Sequence, residues 1–174
     1  DGGTDIWVVG VDGTGATNLT ADQGATRRDA PAWAPSSRIA YSHAASGQAH
    51  IWTMAADGSG KQQLTTGAVY DTEPDWSPVD DRIAYQRFGA IWTVDASNGS
   101  TALLVDLAFG QFAPAFSPDG ALVAFTSPDE TGTSQVYTVA GTGGRLAQRT
   151  FDTTPVGELQ IPPHKAHPGW IARP

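Results

Sequence analysis

No cysteine occurs in the 174 residues, which excludes both disulfides and thiolate metal sites. That absence suits a reducing cytosol and equally a bacterial exported protein that does without disulfides. Basic residues are scarce: ten Lys and Arg stand against eighteen Asp and Glu, for a net charge of −8 and a pI near 4.7. Such a field repels a phosphate backbone and argues against nucleic acid as a partner. No run approaches the ~18 apolar residues of a membrane helix, so insertion by a helix is not expected. No segment keeps a helical period for ~10 residues. The chain opens on Asp1 with neither Met nor a basic-then-apolar leader, as expected of a processed product, a trimmed piece or an excerpt. Against these absences, forty per cent hydrophobic residues and six Trp indicate a folded chain. Twenty Gly and twelve Pro, evenly spread, indicate many turns and short elements.

Those elements repeat. Pro31-Ala-Trp33-Ala-Pro35, Pro74-Asp-Trp76-Ser-Pro78 and Pro114-Ala-Phe116-Ser-Pro118 lie 43 and 40 residues apart. Asp5-Ile6-Trp7-Val8-Val9 returns as His50-Ile51-Trp52-Thr53-Met54, Ala90-Ile91-Trp92-Thr93-Val94 and Gln135-Val136-Tyr137-Thr138-Val139, at steps of 45, 40 and 45. A Gly-rich turn follows each, as in Asp12-Gly13 and Asp57-Gly58, where Gly supplies the positive φ of a tight hairpin. Next come short mixed segments at 16–20, 61–65, 101–105 and 145–150. Arg38-Ile39-Ala40-Tyr41, Arg82-Ile83-Ala84-Tyr85 and Leu122-Val123-Ala124-Phe125 follow the Pro-x-aromatic peptides. One period therefore holds four strands: a (Pro-x-aromatic), b (Arg-Ile-Ala-Tyr), c (Ile-Trp-x-Val) and d (Leu-Thr). Strand c is apolar at consecutive positions, the pattern of a strand buried on both faces. The expected fold is all-β, with four-stranded antiparallel propeller blades at about 31–65, 74–105 and 114–150. Strands c and d at 5–20 and a lone strand a at 168–172 flank them, making a partial or ring-completing propeller. A β-sandwich would alternate along its strands and lack this self-similarity.

The order Ile-Trp-x-Met-x-x-Asp-Gly, Leu-Thr, Pro-x-Trp-Ser-Pro and Ile-Ala-Tyr resembles the TolB-type propeller repeat over residues 5–150. The Ser-Pro-Asp-Gly turn of that repeat is intact only at Ser117–Gly120. The resemblance implies a ring of about six blades and an exported protein, periplasmic or extracellular, that binds envelope protein partners. The chain also resembles the non-catalytic gating propeller of prolyl-oligopeptidase-type serine peptidases. Unclosed blade edges favour homo-oligomers.

Local motifs for chemistry are weak. Gly58-Ser-Gly60-Lys61 lacks the first Gly and the final Ser/Thr of a phosphate loop and reads as a hairpin turn. Gly141-Thr-Gly143-Gly144 has no helix after it and is a turn as well. His164 and His167 have a spacing that metal ligands use, but no acidic or thiolate company. Asn18-Leu-Thr20 and Asn98-Gly-Ser100 match the glycosylation pattern by chance. Trp7, Trp52 and Trp92 recur at one phase and Trp33 and Trp76 at another, which indicates packing between blades. No Gly-x-Ser-x-Gly elbow or ordered triad is present. No catalytic residue, metal or cofactor is therefore expected.

Binding is expected where blades differ, in the d–a and b–c loops of one rim. The d–a loops offer Arg27, Arg28 and Asp29, then Tyr70, Asp71 and Glu73, then Phe109, Gln111 and Phe112. The b–c loops offer His43 and His50, then Arg87 and Phe88, then Asp129 and Glu130. Aromatics beside Arg and carboxylates suit a protein or peptide partner, so the expected function is a non-enzymatic binding module. Alternatives are the peptidase gate and a lyase or hydrolase with its site at the channel mouth, for which His43 or Arg87 would be essential.

Overall fold

The computed structural model describes residues 3–24 and 26–151. The strand expected at 168–172 and the histidines His164 and His167 lie outside the described residues. Fourteen strands are described, in one two-stranded and three four-stranded antiparallel sheets. The small sheet pairs β1 (Trp7–Val8) with β2 (Thr17–Asn18). Blade 1 runs β3 (Arg27–Trp33), β4 (Arg38–Ala45), β5 (Gln48–Ala55) and β6 (Gln62–Gln63). Blade 2 runs β7 (Asp71–Trp76), β8 (Arg82–Arg87), β9 (Ala90–Asp95) and β10 (Thr101–Val105). Blade 3 runs β11 (Phe112–Phe116), β12 (Leu122–Pro128), β13 (Ser134–Ala140) and β14 (Ala147–Gln148). Strands lie side by side in chain order, and the first strand of each blade packs on that of the next, β3 on β7 and β7 on β11. This is the architecture of stacked propeller blades.

The core lies between sheets. Ala40, Ile51, Ile83, Tyr85 and Val94 fill the space between blades 1 and 2, with Trp76 among them. Ala84, Ile91, Phe116, Val123, Phe125 and Val139 fill that between blades 2 and 3. Ile83 and Ala84 thus point to opposite blades, which is why consecutive apolar residues are needed on strands b and c. The Arg of strand b ties blades together as well. Arg38 lies 5.3 Å over the Trp76 ring of the next blade, and Arg82 lies 5.6 Å over Phe116.

Two features depart from the sequence pattern. Strand a begins before its proline, at Arg27, Asp71 and Phe112, and carries a bulge at the residue preceding Pro. Ala30, Glu73 and Ala113 there adopt φ of 50°, 56° and 50°. Proline has no N–H to give to strand b, and a bulge lets the ladder skip it. Strand d is shorter than the Leu-Thr segments suggest, only two residues in β2, β6 and β14. The threonine turns its hydroxyl into the ladder instead. Thr20, Thr65 and Thr150 Oγ1 accept from the N–H of Ile6, Ile51 and Val136 at 3.0, 3.0 and 2.9 Å.

Recurring tryptophans do not share one fate. Trp76 is 4% exposed, and Trp52 and Trp92 are half-buried, as expected for packing between blades. Trp7 and Trp33 are 59% and 55% exposed, which corrects that expectation for these two. Trp33 is on the first strand of blade 1, whose preceding sheet supplies only β1 and β2 among the described residues, and Trp7 is on β1 itself, while its neighbours Ile6 and Val8 pack against blade 1.

Candidate functional site

In an antiparallel a-b-c-d sheet, the b–c turns and d–a loops emerge at the same end. Hydrogen bonds between blades close that rim: Arg28 N to Thr4 O (3.1 Å), Ala49 N to Val69 O (3.1 Å) and Gln111 N to Gly89 O (2.7 Å). Each d–a loop therefore crosses the b–c end of the blade before it. The phosphate-loop-like peptide faces the other rim, where Lys61 donates to Gly58 O at 2.7 Å and pairs with Asp22 at 3.0 Å.

Several rim residues expected in loops belong to strands. Arg27, Arg28 and Asp29 are on β3, Asp71 and Glu73 on β7, and Phe112 opens β11. His43 and His50 are register partners on β4 and β5, and Arg87 ends β8. Strand a is longer than its proline motif, which draws them into the sheet. There they hold the fold. Arg28 is buried and donates to Asp5 Oδ1 (2.8 Å) and Gly24 O (2.7 Å). Hydrogen bonds from Asn18 and Thr20, with the Arg28 guanidinium, hold the Asp5 carboxyl below its usual range. Arg28, His43 and His50 form one row across three strands. His43 Nε2 lies 2.7 Å from Thr26 Oγ1, and its ring tilts on Trp52 with centroids 5.3 Å apart. Burial, then Arg28 and His50, push the His43 imidazole down. Arg27 pairs with Asp29 at 2.6 Å in solvent.

In blade 2, Arg87 grips the fully buried Asp71 through two bonds of 2.7 Å and lies 5.0 Å over Trp92 and 5.3 Å over Tyr85. The bond to Asp71 holds the guanidinium above its ordinary range, and burial pushes the Tyr85 hydroxyl up. Glu73 links three blades: its N–H donates to Ser42 Oγ (3.1 Å) and its Oε2 accepts from Ala113 N (2.7 Å). Gln111 is buried, with its amide bound to the backbone at Leu107 and Phe109.

What remains free lies where blades 2 and 3 meet. The Phe88–Gly89 turn touches the 109–111 loop through two glycines, since a Cβ on Gly89 would sit 3.3 Å from Gly110 Cα. A Cβ on Gly110 would come within 3.0 Å of Phe112 Cζ, so that ring lies over the glycine. Phe88, Phe109 and Phe112 surround this crossing at 71%, 43% and 44% exposure. Tyr70 is exposed on the neighbouring loop, beside its bridge to Ala49. Beside Phe109 opens a groove of about 520 Å³, lined by Leu107, Phe109, Pro128, Tyr137 and Leu146, with Asp129 and Glu130 at its side.

Leu107, Tyr137 and Leu146 were not foreseen, because their repeat phase marks them as packing residues. The step from Ile51 to Ile91 is 40 residues and that from Ile91 to Val136 is 45. The extra length lies in the b–c hairpin of blade 3, whose connection is residues 129–133 where blades 1 and 2 have 46–47 and 88–89, and whose strands are also longer than those of blade 2. Repeat spacing gives only part of the signal, since the step from Ile6 to Ile51 is also 45 although blade 1 turns in two residues. Among the described residues, no three His, Asp or Glu side chains converge as a metal site would require.

No protein-family model matches the chain. An uncharacterised protein of Agrobacterium fabrum is 30% identical over 132 residues, covering 67% of this chain and 44% of that protein. Among solved structures, a TolB of Agrobacterium tumefaciens superposes with a TM-score of 0.71 at 23% identity, over 83% of this chain and 55% of that one. A TolB of Acinetobacter baumannii gives 0.55 at 16% identity, over 83% and 48%. An oligogalacturonate lyase in complex with manganese gives 0.60 at 14% identity, over 83% and 46%. The chain shares the β-propeller fold of these structures and spans about half the length of the relatives it matches.

Proposed function

We propose that this stretch of TolB-like β-propeller is a non-enzymatic module that binds a protein partner through the rim where blades 2 and 3 meet. The observation that carries this reading is the exposure of Phe88, Phe109 and Phe112 around a crossing fixed by the Gln111–Gly89 hydrogen bond. Aromatic side chains on backbone that is already ordered lose little entropy on binding and serve as interface anchors. The polar rim residues support a module without chemistry of its own, because Arg28, Asp71, Glu73 and Arg87 are taken up in bonds within the fold. The resemblance to exported TolB-type repeats supports an envelope protein as the partner and a periplasmic or extracellular setting.

Selection from a displayed random-peptide library tests the reading. Peptides enriched on the wild-type chain are expected to lose binding to the Phe88→Ala/Phe109→Ala/Phe112→Ala variant. They are expected to keep it towards Asp81→Lys, a change on the opposite rim. Peptides indifferent to the three alanines would sink the reading.

A further inference from the structure

We infer that the groove between blades 2 and 3 takes an extended peptide segment carrying a Lys or Arg beside apolar side chains. This rests on the binding-module reading above and names the chemistry of the occupant. The floor is apolar and fixed. Tyr137 stacks on the buried Phe125 ring with centroids 5.7 Å apart, and the carbonyl of Phe109 is held by the Gln111 amide and by Ser127 Oγ. At about 520 Å³ the groove has the size of known ligand clefts and room for a few side chains, short of a folded domain. It shares Phe109 with the exposed aromatic rim, so one ligand chain can span both.

Charge decides what accompanies the apolar anchors. Asp129 and Glu130 line the groove, and among the described residues no Lys, Arg or His does. The two carboxylates divide the work. Asp129 is tied to its own hairpin, accepting from Thr131 N (2.9 Å), Thr131 Oγ1 (2.6 Å), Thr133 N (3.0 Å) and Gln135 Nε2 (2.9 Å). Glu130, the next residue, is exposed and has no ion pair or hydrogen bond among the described residues. A cation placed between Glu130 and the Phe109 and Tyr137 rings gains both a charge partner and an aromatic face. An acidic segment would meet two carboxylates and the field of a chain with net charge −8.

Fluorescence anisotropy with three labelled octapeptides, alternating Leu/Arg, Leu/Glu and Gly/Arg, tests this. At about 0.15 M salt, where long-range attraction is screened, the Leu/Arg peptide should bind about tenfold tighter than either other. Glu130→Lys and Leu146→Asn should each weaken it about tenfold, while Asp81→Lys, a change of like size on the far rim, should change it by less than about twofold. Circular dichroism of each variant checks that the sheet persists. Equal binding of Leu/Arg and Gly/Arg, or equal losses from Asp81→Lys and Glu130→Lys, would reduce the effect to general attraction and overturn the inference. If Leu/Arg fails while library peptides still depend on Phe88 and Phe112, the groove inference falls and the binding module stands. If both fail, both fall.

Discussion

Asp129 gathers four donors onto one side chain at the rim. Its carboxyl sits at about 2 against an ordinary 3.8, first because of the Thr131 hydroxyl and then the Gln135 amide. A carboxyl that ionises more readily folded than unfolded adds stability above about pH 4 and gives it up as pH falls through about 2. The thermal midpoint of the wild type should therefore drop between pH 4 and pH 2, and that drop should be shallower in Asp129→Asn. Hydrogen exchange at neutral pH should show faster amides at Thr131 and Thr133 in the variant. Unchanged exchange there would mean that the five-residue connection holds its shape without the carboxylate. The same device, an Asp accepting from the residue two ahead, shapes the turns at Asp12, Asp57 and Asp95. At Asp129 it borders the groove.

Between neighbouring strands, the Leu-Thr motif shows how a repeat encodes a hydrogen bond as well as an apolar contact. The backbone runs strand d alongside strand c for two residues, and then the Thr hydroxyl accepts the next N–H of strand c. Thr65 is buried, so Thr65→Val leaves the Ile51 N–H without an acceptor and should cost about 1–2 kcal/mol in urea unfolding. Thr150 makes the equivalent bond in solvent, where water replaces it, and also donates to the buried Gln135 Oε1 at 2.6 Å, so Thr150→Val should cost less than Thr65→Val, at about 1 kcal/mol or under. Similar losses at both sites would show that burial does not set the value of this bond. Blade 2 has Val105 at this position, and β10 instead extends to five residues with a register shift between Leu103 and Val105. The other interblade motif works in the same economical way: the Arg of strand b covers the aromatic residue of the next strand a. Blade 3 carries Leu122 where blades 1 and 2 carry Arg38 and Arg82.

Across the whole stack, burial of each tryptophan depends on the sheet in front of it. Trp76 lies under blade 1 and its Arg38, whereas Trp33, at the same repeat position, and Trp7, at that of Trp52 and Trp92, have no such cover among the described residues. Acrylamide should quench the fluorescence of Trp7 and Trp33 readily and that of Trp76 poorly. Single-tryptophan variants, with the other indoles replaced by Phe, separate the signals. Equal protection of Trp33 and Trp76 in a chain shown to be monomeric by light scattering would contradict the exposure described.

Much of this architecture was legible in the residues. Consecutive apolar positions at Ile51 and Ile91 required strands covered on both faces, and Asp-Gly or Asn-Gly punctuation required hairpins, so stacked four-stranded blades followed from pattern alone. Those signals are local or periodic, and a repeat copies them faithfully. Exposure was not legible for Trp7 and Trp33, because motif identity is the same whether or not a neighbour lies above. Nor could the residues show that Arg28, Asp71 and Arg87 are pinned inside the rim while Phe88, Phe109 and Glu130 stay free. That division arises from pairings across strands and between blades, over sequence separations that no local pattern records. Sequence by itself determined the blade and its count of strands; tertiary structure decided which rim residues are left over to bind, because only packing settles which groups are already satisfied.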